Sequence, residues 1–139
     1  MDDAEVIDQL LRTPGTWAVV GLSTNRDRAA FGVSAYLQDL GHTVVPVHPS
    51  APTVHGTPGY SRLRDLPQPP DVVDVFVNST RAGAVVDEAV AVGARAVWLQ
   101  LGVHADEAVA RARAAGLVVV QDTCPAVEGR ARGLRRATD

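Results

Sequence analysis

Lysine is absent from this 139-residue chain, and all 13 of its basic residues are arginine. The absence excludes the phosphate-binding lysine of a Walker loop and every mechanism that needs a lysine Schiff base. The formal net charge is −3, which supplies no positive field for a polyanion. We therefore expect no nucleic-acid partner.

Cysteine is scarce, because Cys124 stands alone and no internal disulfide framework can form. This usage fits a reducing compartment, and the acidic N-terminus MDDAEVIDQLLRTPG lacks the basic region of an export signal. The longest apolar runs, such as LVVVQ, are far shorter than the ~20 residues of a membrane span. The sequence predicts a cytoplasmic protein without a membrane partner.

The residues that are abundant predict one packed α/β domain. The chain is 46% hydrophobic but only 4% aromatic, which suits a core built from alanine and valine. We expect residues 1–128 to form the domain, beginning with an amphipathic helix at residues 3–12. Residues 129–139, GRARGLRRATD, have little apolar content and predict a basic, mobile tail.

Apolar runs of strand length alternate with segments of helical periodicity. Strands are predicted, in chain order, at WAVVGL, HTVVPVHP, DVVDVFVN, RAVWLQLG and LVVVQD. After the first helix, further helices are predicted at residues 29–40, 84–92 and 105–116. The segment from Pro49 to Asp71 is rich in proline and glycine, so it has room for only a turn or two of helix near residues 60–66.

This alternation is typical of βαβ units with right-handed crossovers. The sequence therefore predicts a three-layer, doubly wound α/β fold, with a parallel sheet of five strands. Between the two common strand orders of this class, we expect the Rossmann-like order 3-2-1-4-5 rather than the flavodoxin order.

Ligands of such sheets bind at the carboxyl ends of the strands. Small or polar residues follow every predicted strand directly, at 21–24, 47–50, 78–80, 100–102 and 122–124. Turn chemistry explains any one of these segments taken alone. Five of them on one edge of one sheet favour a binding site.

The first of these segments, within WAVVGLSTNRDRAAFG, favours a phosphate. The helix predicted from Ala29 offers unpaired backbone N–H groups and a partial positive charge. Ser23 and Thr24 can add hydroxyl donors, and Arg28 can close over a phosphate. The alternative that stays open is that Asp27 caps the helix and the arginines are solvated.

The dinucleotide fingerprint fails in this loop. A G-x-G-x-x-G motif from Gly21 needs glycine where the chain has Ser23 and Arg26. The second strand ends in PVHPS, so His48 stands where NAD sites place an acid for the ribose diol. NAD is disfavoured, whereas a nucleotide with an additional ribose phosphate remains open.

Three long segments carry a resemblance to a known family. They are AVVGLSTNRDRAAFGVSAYLQDLGHTVVPVHP, DVVDVFV and GARAVWLQLGVHADEAVARARAAGLVVVQDTC, and the resemblance as a whole extends from Trp17 to about Glu128. The chain resembles the small stand-alone CoA-binding proteins, which are similar to the N-terminal domain of the succinyl-CoA ligase α subunit. The resemblance implies that the ligand is coenzyme A or an acyl-CoA, bound through its ADP part.

The resemblance also implies which positions bind the ligand. The matching positions are Gly21, Ser23 and Arg28 in the phosphate loop, Val47, His48 and Pro49 beside the adenosine, Val77, Asn78 and Ser79 after the third strand, and Gln100 and Gly102 near the pantetheine. The chain departs from the family pattern at His48, where asparagine is usual.

Catalytic chemistry finds little support in the sequence. Four histidines, at positions 42, 48, 55 and 104, are scattered without metal-ligand spacing. Ser23 is not in a G-x-S-x-G elbow, and no catalytic residue is assigned. Cys124 follows the fifth strand, either as a small buried residue or as a cofactor-binding thiol that forms a mixed disulfide with CoA.

The sequence thus predicts a non-catalytic CoA-binding module. An NADP-dependent or other nucleotide-dependent enzyme with an unplaced catalytic group is the alternative, and an interaction domain with a vestigial site is a third reading. A homodimer is left open, since a small α/β domain with one bare flank can pair.

Overall fold

The computed structural model describes residues 2–135 of the chain. In order, the elements are α1 Asp3–Arg12, β1 Thr16–Val20, α2 Ala29–Asp39, β2 Thr43–Val47, a 3₁₀ turn Leu63–Asp65, β3 Val72–Val75, α3 Ser79–Val92, β4 Ala96–Leu99, α4 Asp106–Ala114, β5 Val118–Val120 and α5 Pro125–Ala131. All five strands pair in parallel, so the predicted α/β class is confirmed. Within the described residues, none of the helices combines the length and the hydropathy that a membrane span requires.

The strand order differs from our expectation. The sheet runs β2-β1-β3-β4-β5, so the expected order 3-2-1-4-5 is wrong. β2 lies at an edge of the sheet. Pro46 suits this position because proline has no backbone N–H to donate to a second neighbouring strand. On the outer side of β2, the loop residue Tyr60 forms a bridge, donating its N–H to the Pro46 carbonyl at 3.0 Å. The point where the order reverses therefore lies between β1 and β3.

The sheet separates two apolar layers, as expected for a three-layer fold. Helices α3 and α4 cover one face and pack on Val73 and Val75 of β3. Helices α1, α2 and α5 cover the other face, which contains Trp17 and Trp98, with ring centroids 5.4 Å apart. All four residues of β3 are buried, as is typical of a central parallel strand.

Helix α3 begins five residues earlier than the apolar periodicity predicts. Its first turns read STRAG, which offers little apolar signal, and Asn78 precedes them in an extended conformation. The helix ends as predicted at Gly93, whose φ of 84° is the left-handed conformation that glycine adopts most easily. The early start matters for function because it aims the N-terminus of α3 at the edge where β1 and β3 end.

Helix α5 was not predicted, and it occupies part of the expected tail. Pro125 is its first residue, a position where the missing N–H costs nothing. Gly129 is buried against the Tyr36 ring, which leaves no room for a Cβ. The Tyr36 hydroxyl donates to the Leu134 carbonyl at 2.8 Å, so residues 129–134 pack on α2. Residues 136–139 of the predicted tail lie outside the described residues.

Candidate functional site

A cleft of about 880 Å³ lies at the carboxyl ends of β1, β2 and β3. This volume falls within the range of small-molecule sites. Eight of the residues predicted from the sequence line it, namely Gly21, Ser23, Arg28, Val47, His48, Pro49, Val77 and Asn78. The structure therefore brings together the first, second and third strand ends.

The other five predicted residues do not line this cleft: Thr24, Ser79, Gln100, Gly102 and Cys124. The strand order explains most of this, because β4 lies beyond β3 rather than beside β1. The Gly102 N–H donates to Asp122 Oδ1 at 2.8 Å, and Ser79 Oγ accepts from the His104 N–H at 3.0 Å. Gln100 and Cys124 are buried. Ligand contacts of these five residues stay a prediction.

Gly21 lets the loops after β1 and β3 approach each other closely. Its φ is 101°, which residues with a side chain rarely adopt, and its N–H donates to the Val47 carbonyl at 2.8 Å. A Cβ at this position would lie 3.3 Å from the Phe76 carbonyl carbon and oxygen. The glycine thus permits the close approach of two loops that line the cleft.

The loop from Ser23 to Arg28 is held by its own short side chains. The Asn25 N–H donates to Ser23 Oγ at 3.2 Å, and the Asp27 N–H donates to Asn25 Oδ1 at 3.0 Å. Arg28 occupies the N-cap of α2, and no side chain caps the helix. The reading in which Asp27 caps α2 is therefore wrong. The first turn of α2, which includes Ala29, faces the cleft. Its backbone N–H groups can donate hydrogen bonds to an anion there.

A second helix terminus reaches the same cleft. Asn78 occupies the N-cap of α3, but it makes no side-chain cap bond to the helix. Its Oδ1 accepts instead from the Thr80 hydroxyl at 2.6 Å. Each helix N-terminus carries about half a positive charge. Two such termini at the switch point make this part of the cleft favourable for a phosphate group.

Arginine dominates the charge of the cleft. Arg28, Arg62 and Arg81 line it, against a single carboxylate, Glu88. Within residues 2–135, neither Arg28 nor Arg81 forms an ion pair, whereas Arg62 Nε lies 3.8 Å from an Asp65 carboxylate oxygen. The cleft is therefore locally positive although the chain is acidic overall. Three lining residues, Arg62, Arg81 and Glu88, were not predicted from the sequence. A helix predicted from residue 79 would have placed Arg81 and Glu88 on one face.

His48 contributes a donor at the end of β2. Its Nδ1 accepts from the Ser50 N–H at 3.2 Å and lies 2.9 Å from Ser50 Oγ. When Nδ1 accepts, the neutral ring carries its proton on Nε2, which leaves that nitrogen free to donate toward a ligand. The described residues contain no group of three or more His, Cys, Asp or Glu side chains that could hold a metal.

Comparison with known proteins gives the family. Residues 15–130 match the model described as a CoA binding domain. The protein YneT of Bacillus subtilis (strain 168) is 33% identical over 118 residues, covering 85% of this chain and 87% of that protein. A hypothetical protein from Pyrococcus horikoshii OT3 is 33% identical with a TM-score of 0.88, covering 94% of this chain and 92% of that one. Prb, a redesigned form of the protein PH1109, is 31% identical with a TM-score of 0.90, covering 100% and 98%. The match over residues 15–130 confirms the resemblance found in the sequence, and the chain belongs to the CoA-binding domain family.

Proposed function

We propose that this protein binds coenzyme A or an acyl-CoA through the ADP part of the ligand, and that it does so without catalysing a reaction. The observation that carries the proposal is the convergence of two uncapped helix N-termini, α2 and α3, on one cleft. Arg28 and Arg81 stand beside them. Backbone N–H groups and guanidinium groups are the donors that a diphosphate needs.

The residues of the cleft fit the parts of such a ligand. The diphosphate would be held by the first turn of α2, by Ser23 and by Arg28. The floor at Gly21 has no side chain that would exclude it. The adenosine would lie with its ribose toward Val47 and His48, where an imidazole can donate and no carboxylate repels an additional ribose phosphate.

The two candidate nucleophiles, Ser23 and Cys124, have different surroundings in the described residues. Ser23 Oγ accepts only from the Asn25 N–H in the described part of the chain, and no histidine hydrogen-bonds to it as a base. Cys124 is buried and does not line the cleft. Activated nucleophiles require an adjacent base or a lowered thiol pKa. The proposal therefore assigns the cleft a role in carrying or sensing its ligand.

Thermal unfolding with CoA, acetyl-CoA, NAD, NADP and ATP at equal concentrations tests the proposal. A ligand at 100 times its Kd stabilises the folded state by about 2.7 kcal/mol, which gives a clear rise in Tm. We expect a rise with CoA and acetyl-CoA and a smaller one or none with NAD. A rise with NADP and none with CoA would refute the proposal and favour a nucleotide-dependent enzyme.

A further inference from the structure

One face of α3 carries opposite charges at its two ends along the cleft. Arg81, Val85 and Glu88 all line it, and their spacing of four and three residues places them in a row along the helix. The row begins near the N-terminus of α3 and extends over about 10 Å. Its order is positive, apolar, negative. A ligand with an anionic end therefore meets opposite charges at the two ends of this row.

Glu88 is held in place at the end of that row. One of its carboxylate oxygens, Oε1, accepts from the Arg64 N–H at 3.3 Å, which ties α3 to the 3₁₀ turn. Glu88 is partly buried, and within residues 2–135 it makes no ion pair with an arginine. Its second oxygen, Oε2, has no donor among the described residues. Glu88 Oε2 is therefore an acceptor in the cleft that remains available for a ligand.

The walls beside Glu88 suit a flat ring. Leu63 is buried at the edge of the 3₁₀ turn, and Val85 faces the cleft one turn of helix before Glu88. An ionised carboxylate only accepts hydrogen bonds, so a ring placed there must offer a donor. The same carboxylate repels a carbonyl oxygen or a phosphate at this position. Both effects favour a heterocycle that carries an exocyclic amine.

We propose that Glu88 is the residue that determines base specificity in this cleft, by accepting a hydrogen bond from the 6-amino group of a purine and rejecting a 6-oxo purine. The inference rests on the proposed function, since it takes the cleft to hold a purine nucleotide with its phosphates toward α2. It goes further by assigning the base-reading contact to one carboxylate.

Calorimetric titration with two ligands tests the inference. The ligands are CoA and its deaminated analogue, in which hypoxanthine replaces adenine and nothing else changes. For the natural protein, we expect CoA to bind about tenfold more tightly than the analogue, as a hydrogen bond to a charged group requires. Glu88→Gln should bring the two affinities within about twofold, because an amide can turn to donate to the 6-oxo group and can still accept from the Arg64 N–H.

A matched control is Glu107→Gln, which removes the same charge from an exposed position on α4 outside the cleft. It should keep the tenfold preference. Equal affinity of the natural protein for both ligands, or an unchanged preference in Glu88→Gln, would overturn the role of Glu88 while CoA binding stands. Failure of CoA to bind the natural protein would overturn the proposed function and this inference with it. If Glu88 served only to connect α3 to the 3₁₀ turn, Glu88→Gln would change the free energy of unfolding. It would not change the ratio of the affinities for CoA and its deaminated analogue.

Discussion

Asp74 offers the sharpest test of how the fold is built. It lies on the central strand β3, in register with Val19 of β1 and Trp98 of β4. Its side chain is fully buried, and neither carboxyl oxygen has a hydrogen-bond partner among the described residues. Burial without a partner raises the pKa of Asp74 well above its usual value, because the charged form is deprived of water.

The raised pKa has a definite effect on the free energy of unfolding. Below the usual aspartate pKa of about 3.9, Asp74 is protonated in both the folded and the unfolded chain. Above it, the unfolded chain releases the proton while the folded chain keeps it, so stability falls as pH rises. The loss is about 1.4 kcal/mol per pH unit until the folded pKa is reached. Asp74→Asn keeps the shape and removes the titration.

Urea unfolding at about pH 4.5, 5.5 and 6.5 measures this contribution. We expect the free energy of unfolding of Asp74→Asn, minus that of the natural protein, to increase as the pH rises above the usual aspartate pKa, by at most about 1.4 kcal/mol per pH unit. Subtraction cancels every other titrating group, including His42, whose pKa is lowered mainly by burial. Asp39→Asn, at an exposed position on α2, is the control for the loss of an aspartate side chain. A constant difference for Asp74→Asn would refute the reasoning.

Two further predictions concern the phosphate loop. Arg28→Ala should weaken CoA binding by about 1.5–3 kcal/mol if the guanidinium bonds a phosphate. Arg113→Ala, at an exposed position on α4, is the control in the same titration, and equal affinities for the two variants would show that Arg28 is solvated. Gly21→Ala should lower the free energy of unfolding by about 1–3 kcal/mol because of its positive φ and the nearby Phe76 carbonyl. Gly32→Ala, with open space around its Cβ in helix α2, should instead raise it by about 0.5–1 kcal/mol; a stable Gly21→Ala protein would contradict the role given to the loop.

The local part of this structure was readable from the sequence. Helix α1 begins and ends where its apolar spacing predicts, and α2 ends within one residue of the expected Leu40. Four of the five strands fall inside the apolar runs assigned to them, and β1 begins one residue before its run, at Thr16. These features depend on residues close together in the chain, whose periodicity reports which face is buried. The predicted strands also indicated where each strand ends. Eight of the residues predicted at those ends line the cleft.

The strand order was not readable in the same way, because it depends on which distant segments pair. Pro46 was the local signal that could have placed β2 at an edge. The consequence reaches the site. In the expected order, the loop after β4 would lie beside Gly21, and Gln100 would be a natural ligand contact. In the observed order, the loop after β3 takes that place and brings the first turns of α3 with it.

Strand order therefore decides more than topology in this protein, because it determines which helix faces the ligand. With α3 beside the phosphate loop, the cleft gains Arg81 near one end and Glu88 at the other. Helix α4 would have offered a different row, since its first turn carries Asp106 and Glu107, which would repel a phosphate. An anion-binding edge is thus favoured by the observed order and disfavoured by the expected one. The proposed direction of the nucleotide and the proposed selection of its base both depend on this choice of helix.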